Sequence, residues 1–264
     1  MAVPDSNALA GRRVLVTRPV AQAEALCRLI ERAGGTPLRF PTIEIAPPSD
    51  VAALERIIDR LEQFQLAIFV SPNAVTHALA AIRSRRGALP SPLAIACVGP
   101  GSARALAELG IADALAPGRS DSEGLLELPR LQQVRDQRIV IFRGEGGREL
   151  LAETLRQRGA QVEYAECYRR RRPVADAAAL ARDVMQDRID VVTLTSADAL
   201  RNLYGMLGRV AAARLARVPL VVVSERLHDL AHELGHDGPV KVAAGASDEA
   251  IVAAVEALAG AKDA

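Results

Sequence analysis

Short apolar runs recur along the chain at intervals too long for a β-meander. Leu66–Val70, Leu93–Val98, Asp190–Leu194 and Leu220–Val223 are apolar or β-branched through most of their length. Strands buried on both faces read this way, because neither face meets water. Amphipathic stretches at helical spacing lie between them: Gln22–Ala33, Val51–Glu62, Asn73–Arg83, Arg148–Arg158 and Asp248–Leu258. Gly34, Gly110, Gly159 and Gly235 fall where C-capping glycines belong. Alternation of this kind predicts parallel sheets with helices on both faces.

The pattern is written twice. Val14-Leu15-Val16-Thr17-Arg18 matches Ile139-Val140-Ile141-Phe142-Arg143, each position 125 residues on. At the same offset Ser71-Pro72-Asn73-Ala74-Val75 matches Ser196-Ala197-Asp198-Ala199-Leu200, and Glu108-Leu109-Gly110 matches Glu233-Leu234-Gly235. One constant offset across separate matches identifies a duplicated α/β unit.

Two segments break the alternation and lie 125 residues apart themselves: Arg39–Ile45, running into Pro47-Pro48, and Glu166–Arg169, running into further arginines and Pro173. Read as extended crossovers, they give residues 1–38 plus 174–264 as one discontinuous domain and 46–166 as the other. Residues 39–45 and 167–173 are then linker strands. Two linear halves split near residue 130 are the competing reading.

Composition excludes more than it assigns. The 264 residues carry 33 basic and 32 acidic side chains, and this balance gives no field for nucleic acid. Three cysteines, none in a C-x-x-C pair, point to a reducing compartment and the cytoplasm. No apolar run approaches the ~20 residues of a membrane span.

Candidate chemistry gathers at the strand-to-helix turns, where open α/β sheets bind ligands. These are Thr17-Arg18-Pro19, Ser71-Pro72-Asn73, Gly99-Pro100-Gly101-Ser102, Arg143-Gly144-Glu145-Gly146-Gly147-Arg148, Thr195-Ser196 and Ser224-Glu225-Arg226. Helix N-termini and guanidinium groups together suit a ligand with many carboxylates. Any one serine reads first as an N-cap, but the set reads as ligand binding. Gly99-x-Gly101 has Arg104 where a dinucleotide loop needs its third glycine, so that reading fails. A phosphoacceptor receiver fails too, since these strand ends carry hydroxyls and arginine instead of an acidic cluster. His232-Glu233-Leu234-Gly235-His236 fits a zinc-helix pattern, but the repeat ends that helix at Gly235, out of line with His236. No metal site is expected there. Arg169–Arg172 reads as a solvated stretch beside a linker, since the chain is charge-balanced and poor in aromatics for nucleic-acid stacking; the alternative is that some of these arginines face a cleft and attract an anionic ligand.

Taken in order, these turns resemble the uroporphyrinogen-III synthase family over essentially the whole chain. The marks are Val16-Thr17-Arg18-Pro19, Phe69–Val75, Val98–Ala103, Arg143–Arg148, Tyr168-Arg169 and Val223–Arg226. The resemblance implies two similar flavodoxin-like or Rossmann-like α/β domains with parallel sheets, a two-stranded linker and an active site in the interdomain cleft. It implies a cyclising hydro-lyase that converts the linear tetrapyrrole hydroxymethylbilane to uroporphyrinogen III, inverting ring D, with no cofactor. By this resemblance Tyr168 matches the tyrosine that the family places at the cleft as proton donor, and phenols hold their proton at neutral pH. Arg18, Ser71, Ser102, Arg148, Ser196 and Arg226 match positions that bind substrate carboxylates. A monomer is expected, with transient contact to the upstream hydroxymethylbilane synthase as a further partner. A non-catalytic binder of a polycarboxylate small molecule is the alternative.

Overall fold

The computed structural model describes residues 7–119 and 121–260. Its strands are β1 (Arg13–Val16), β2 (Thr36–Arg39), β3 (Glu44–Ala46), β4 (Leu66–Phe69), β5 (Ala94–Cys97), β6 (Arg138–Gly144), β7 (Gln161–Arg171), β8 (Val191–Leu194), β9 (Leu220–Val222) and β10 (Val240–Val242). They form two five-stranded sheets, ordered β10-β9-β8-β1-β2 and β3-β7-β6-β4-β5. The chain divides into two compact units: the described residues up to Glu44 with those from Arg171 on, and Ile45–Arg170.

In the first unit every neighbouring pair of strands is parallel. Its helix Val20–Arg32 buries Ala23, Leu26, Cys27 and Ile30, and helix Asp248–Gly260 packs beside it through Ile251, Val252 and Val255. In the second unit the pleat is legible residue by residue. Ala67, Phe69, Val140 and Phe142 face one cluster with Val75, Leu79 and Ile82 of helix Pro72–Arg86. Leu66, Ile68, Ile139 and Ile141 face the opposite cluster, with Leu151 and Leu155 of helix Leu150–Gln157. Phe69 and Phe142 stack across neighbouring strands with centroids 4.9 Å apart. Burial of each such side chain contributes about 1.5–3 kcal/mol.

The duplication holds at the level of hydrogen-bonded register. Arg13 pairs with Thr36, and Arg138 with Gln161; Val14 pairs with Val191, and Ile139 with Leu66; Val192 pairs with Leu220, and Ala67 with Ile95. In each comparison both partners shift by 125 residues, forward or back. Each sheet is therefore a mixture of the two copies. β1 and β2 from the first copy join β8–β10 from the second, while β6 and β7 from the second join β4 and β5 from the first.

Elements differ from the sequence pattern where backbone geometry intervenes. The stretch 39–45 carries strand only at its two ends, Arg39 closing β2 and Glu44 opening β3, and Pro41 between them has no N–H for a ladder. β7 instead continues as strand through Tyr168 to Arg171, with one register shift against β6. The helix expected at Arg148 starts at Leu150, because Gly146 and Gly147 adopt φ +71° and +114° and extend the loop. Helix Glu225–Glu233 stops before Gly235, whose φ of +84° no L side chain adopts readily, as Gly110 does in the other copy at +87°.

Candidate active site

In the second unit Ser71 follows β4 in extended backbone (φ −160°, ψ 161°) and caps helix Pro72–Arg86, its Oγ accepting the Ala74 N–H at 3.1 Å. The same Oγ lies 3.1 Å from the phenol oxygen of Tyr168, which β7 supplies. Tyr168 is buried; the His77 ring lies 5.8 Å from its ring and the Arg170 guanidinium 5.8 Å from its centroid. Burial lowers the pKa of His77, so its imidazole favours the neutral form.

Beside this pair the loop after β6 is pinned from within. Arg143 is buried, and its Nε donates to the carbonyls of Gly144 (3.3 Å) and Gly146 (3.0 Å). Its Nη1 donates to Glu149 at 3.0 Å, and its guanidinium covers the Tyr164 ring at 4.4 Å. Tyr164 donates to the other Glu149 oxygen at 2.6 Å; burial, then that carboxylate, push its phenol up to about 12. The loop thus presents Arg148, exposed, at its far end. Glu145 is held by Ser49, which Arg169 reaches at 2.9 Å.

Ser102 lies in the first turn of helix Pro100–Glu108 at 3% exposure, and its counterpart in the other copy, Leu227, is a buried packing position at 6%.

In the first unit Ser196 follows β8 and caps its helix through Ala199 at 3.2 Å, as Ser71 does. Arg18, the counterpart of Arg143, is likewise turned inward. It is ion-paired with Asp248 and donates to the Ala246 carbonyl at 3.2 Å, tying the turn after β1 to the start of the last helix. Thr17 donates to the Thr193 carbonyl at 2.8 Å and so ties strand to strand. Arg226 is exposed and lines a cavity of about 420 Å³ with Ala197, Arg201, Asp229, Leu230 and Glu233.

The structure therefore brings Ser71 and Tyr168 together and leaves Arg148, Ser196 and Arg226 at carboxyl ends of their sheets. It gives Arg18 and Ser102 internal partners or packing. Sequence reasoning passed over Arg143 as the pin of its loop and Gly144 as a neighbour of Tyr168. A glycine closing the strand, ahead of the loop glycines Gly146 and Gly147, was the available signal for the second.

Among the described residues no three or more His, Cys, Asp or Glu side chains gather to hold a metal ion. His236 is buried, bonds Tyr204 through Nδ1 at 2.8 Å, and receives His232 on its carbonyl at 3.0 Å. No helix among the described residues is long and apolar enough to cross a membrane.

Residues 24–253 match a family profile described as "Uroporphyrinogen-III synthase HemD". The chain is 34% identical to the uroporphyrinogen-III synthase of Salmonella typhimurium over 245 residues, covering 92% of this chain and 99% of that protein. Identity to the Escherichia coli enzyme is also 34%, with the same coverage. A mutant uroporphyrinogen III synthase from Thermus thermophilus shares the fold, with a TM-score of 0.58 over 94% of this chain and 99% of that one at 19% identity. The Helicobacter pylori uroporphyrinogen-III synthetase gives the same TM-score and coverage at 12% identity. With a profile match over most of its length and full-length relatives at this identity, the chain belongs to the uroporphyrinogen-III synthase family of tetrapyrrole biosynthesis.

Proposed function

We propose that this chain is a cyclising hydro-lyase that converts hydroxymethylbilane to uroporphyrinogen III and water, with Tyr168 as the acid. The observation that carries the assignment of Tyr168 is its phenol oxygen, 3.1 Å from Ser71 at the carboxyl edge of a parallel sheet. In the first step the bond from the hydroxymethyl carbon to its oxygen breaks heterolytically. The electron pair of the adjacent pyrrole nitrogen takes its place, giving an azafulvene, and the phenol protonates the departing hydroxide to water. Carbon–carbon bond formation at the substituted end of ring D gives a spirocyclic pyrrolenine, whose opening and reclosure invert that ring. The proton lost as the last pyrrole regains aromaticity restores the phenol. No electrons are transferred in this sequence, so it calls for no redox carrier.

The azafulvene reacts readily, so holding the folded bilane is most of the catalytic task. Arg148, Ser196 and Arg226 are assigned to the carboxylate side arms, two of them as exposed guanidinium groups and one at a helix start. Arg18 and Ser102 are assigned to supporting this edge from inside. Three cysteines without a disulfide support the cytoplasm as the compartment.

The test is product identity. Purified chain given hydroxymethylbilane should yield the type III isomer, and Tyr168→Phe should slow turnover at least tenfold. If only the type I isomer of spontaneous closure forms, the activity is wrong. Tight binding of the bilane without type III product would favour a non-catalytic binder instead.

A further inference from the structure

β7 departs once from the alternation of a strand. Cys167 and Tyr168 are consecutive, yet each is only 3% exposed. The cause is a register shift in the ladder with β6: Arg143 pairs with Glu166, and Gly144 pairs with Tyr168, leaving Cys167 as the extra residue of a bulge. With an unbroken ladder Gly144 would oppose Cys167, and Tyr168 would turn to the other face of the sheet. The bulge therefore aims the phenol.

It also lays the ring over the backbone of Gly144. A Cβ at Gly144 would lie 2.7 Å from both Cε2 and Cζ of Tyr168 and 3.1 Å from its Oη. Ring carbons do not tolerate that approach. The φ of Gly144 is outside the left-handed region, so main-chain geometry does not call for glycine here. Space for the ring does. The positions 125 residues earlier hold Pro19 and Ile43, so the first copy has neither the gap nor a phenol to fill it.

We infer that Gly144 is a positioning residue for Tyr168: with no side chain at the bulge, the phenol can lie across β6 and reach Ser71. The inference rests on the reading that Tyr168 serves the reaction. A methyl group at Gly144 displaces the ring and separates its oxygen from Ser71, while the exposed arginines that would hold the substrate are untouched. The loss should therefore fall on kcat and spare KM.

The experiment compares the full-length wild type with Gly144→Ala, Tyr168→Phe, Tyr168→Leu and the double variant Gly144→Ala/Tyr168→Leu, using hydroxymethylbilane and scoring the type III isomer. Gly144→Ala is expected to lower kcat at least tenfold with KM within about twofold of wild type. Leucine at 168 does not reach the ring's outer atoms, so adding Gly144→Ala to Tyr168→Leu should change kcat no further. A wild-type kcat for Gly144→Ala beside an impaired Tyr168→Phe overturns the inference and leaves the function standing. A wild-type rate for Tyr168→Phe removes the role of the phenol itself. Should Gly144→Ala fail to fold, recovery of folding in the double variant supports the steric coupling, and failure to recover overturns it.

Discussion

The hydroxyl of Ser71 stands 3.1 Å from the Tyr168 phenol oxygen and 3.1 Å from the Ala74 amide, so one oxygen serves both a helix end and the phenol. Ser196 makes the corresponding cap at 3.2 Å, but the position corresponding to Tyr168 is Ile43. Replacing either serine with alanine removes one cap, worth about 1 kcal/mol. Urea titration should show similar losses for the two. Turnover should separate them: Ser71→Ala lowers kcat several-fold, while Ser196→Ala acts mainly on KM. Equal effects on kcat would count against the phenol contact.

Arg18 and Arg226 both lie after strands, but only one faces solvent. The side chains of Arg18 and Asp248 are 15% and 19% exposed, so Arg18→Gln leaves a largely buried carboxylate without its cation. A loss of roughly 2–3 kcal/mol is expected, seen as a lower urea midpoint. Arg226→Gln and Arg148→Gln should move stability by less than about 0.5 kcal/mol, as exposed substitutions do. Each should instead raise KM about tenfold, the magnitude of one lost charge-assisted hydrogen bond. An unchanged midpoint for Arg18→Gln would return that residue to the substrate-binding set.

His236 makes the fold acid-sensitive. Burial, then the neighbouring His232, lower its pKa to about 4 from 6.5, with Asp237 opposing. Its Nε2 is buried without a partner, and Tyr204, raised by burial to about 12, stays a neutral phenol against Nδ1. Because the folded pKa lies below the unfolded one, the unfolded chain binds the extra proton. Stability is therefore full above pH 6.5 and falls as pH drops towards 4, by about 3 kcal/mol. Unfolding free energies across this range should show that slope in the wild type. His236→Leu should flatten it, and an equal slope would mean other groups are responsible.

The thiols should be silent in the folded protein. Cys27, Cys97 and Cys167 are buried, and burial raises each of them, Cys167 to about 12. Thiolate is the reactive form, so a thiol reagent should label no cysteine quickly at neutral pH and all three once the protein unfolds. Rapid labelling of one native thiol would show that its surroundings open readily.

The parallel sheets were legible because strands buried on both faces leave few other readings of Leu66–Phe69 or Val191–Leu194. The 125-residue offset carried further, into the pairing of individual residues and the end of the helix before His236. The inner partners of arginine were not legible. Arg18 and Arg226 look alike in sequence, and only the fold brings Asp248 beside one of them. Ser102 read as a turn hydroxyl, although Leu227 at its repeat position marks a packing site. The bulge at Cys167 was invisible because it exists only relative to β6, not within β7.

The mixing of copies within each sheet sets an order of completion during synthesis. The sheet of β3–β7 has all its strands once Arg171 has emerged, whereas β1 lacks its partner β8 until later and the sheet of β1 and β2 is complete only when β10 ends at Val242. At 5–20 residues per second, that interval is on the order of ten seconds. The earliest-made strands are thus among the last to be enclosed, with Val14, Leu15 and Val16 exposed on one side while they wait. A nascent chain of this protein therefore passes through a stage with one sheet complete and one strand edge open, the kind of edge that other chains can pair with.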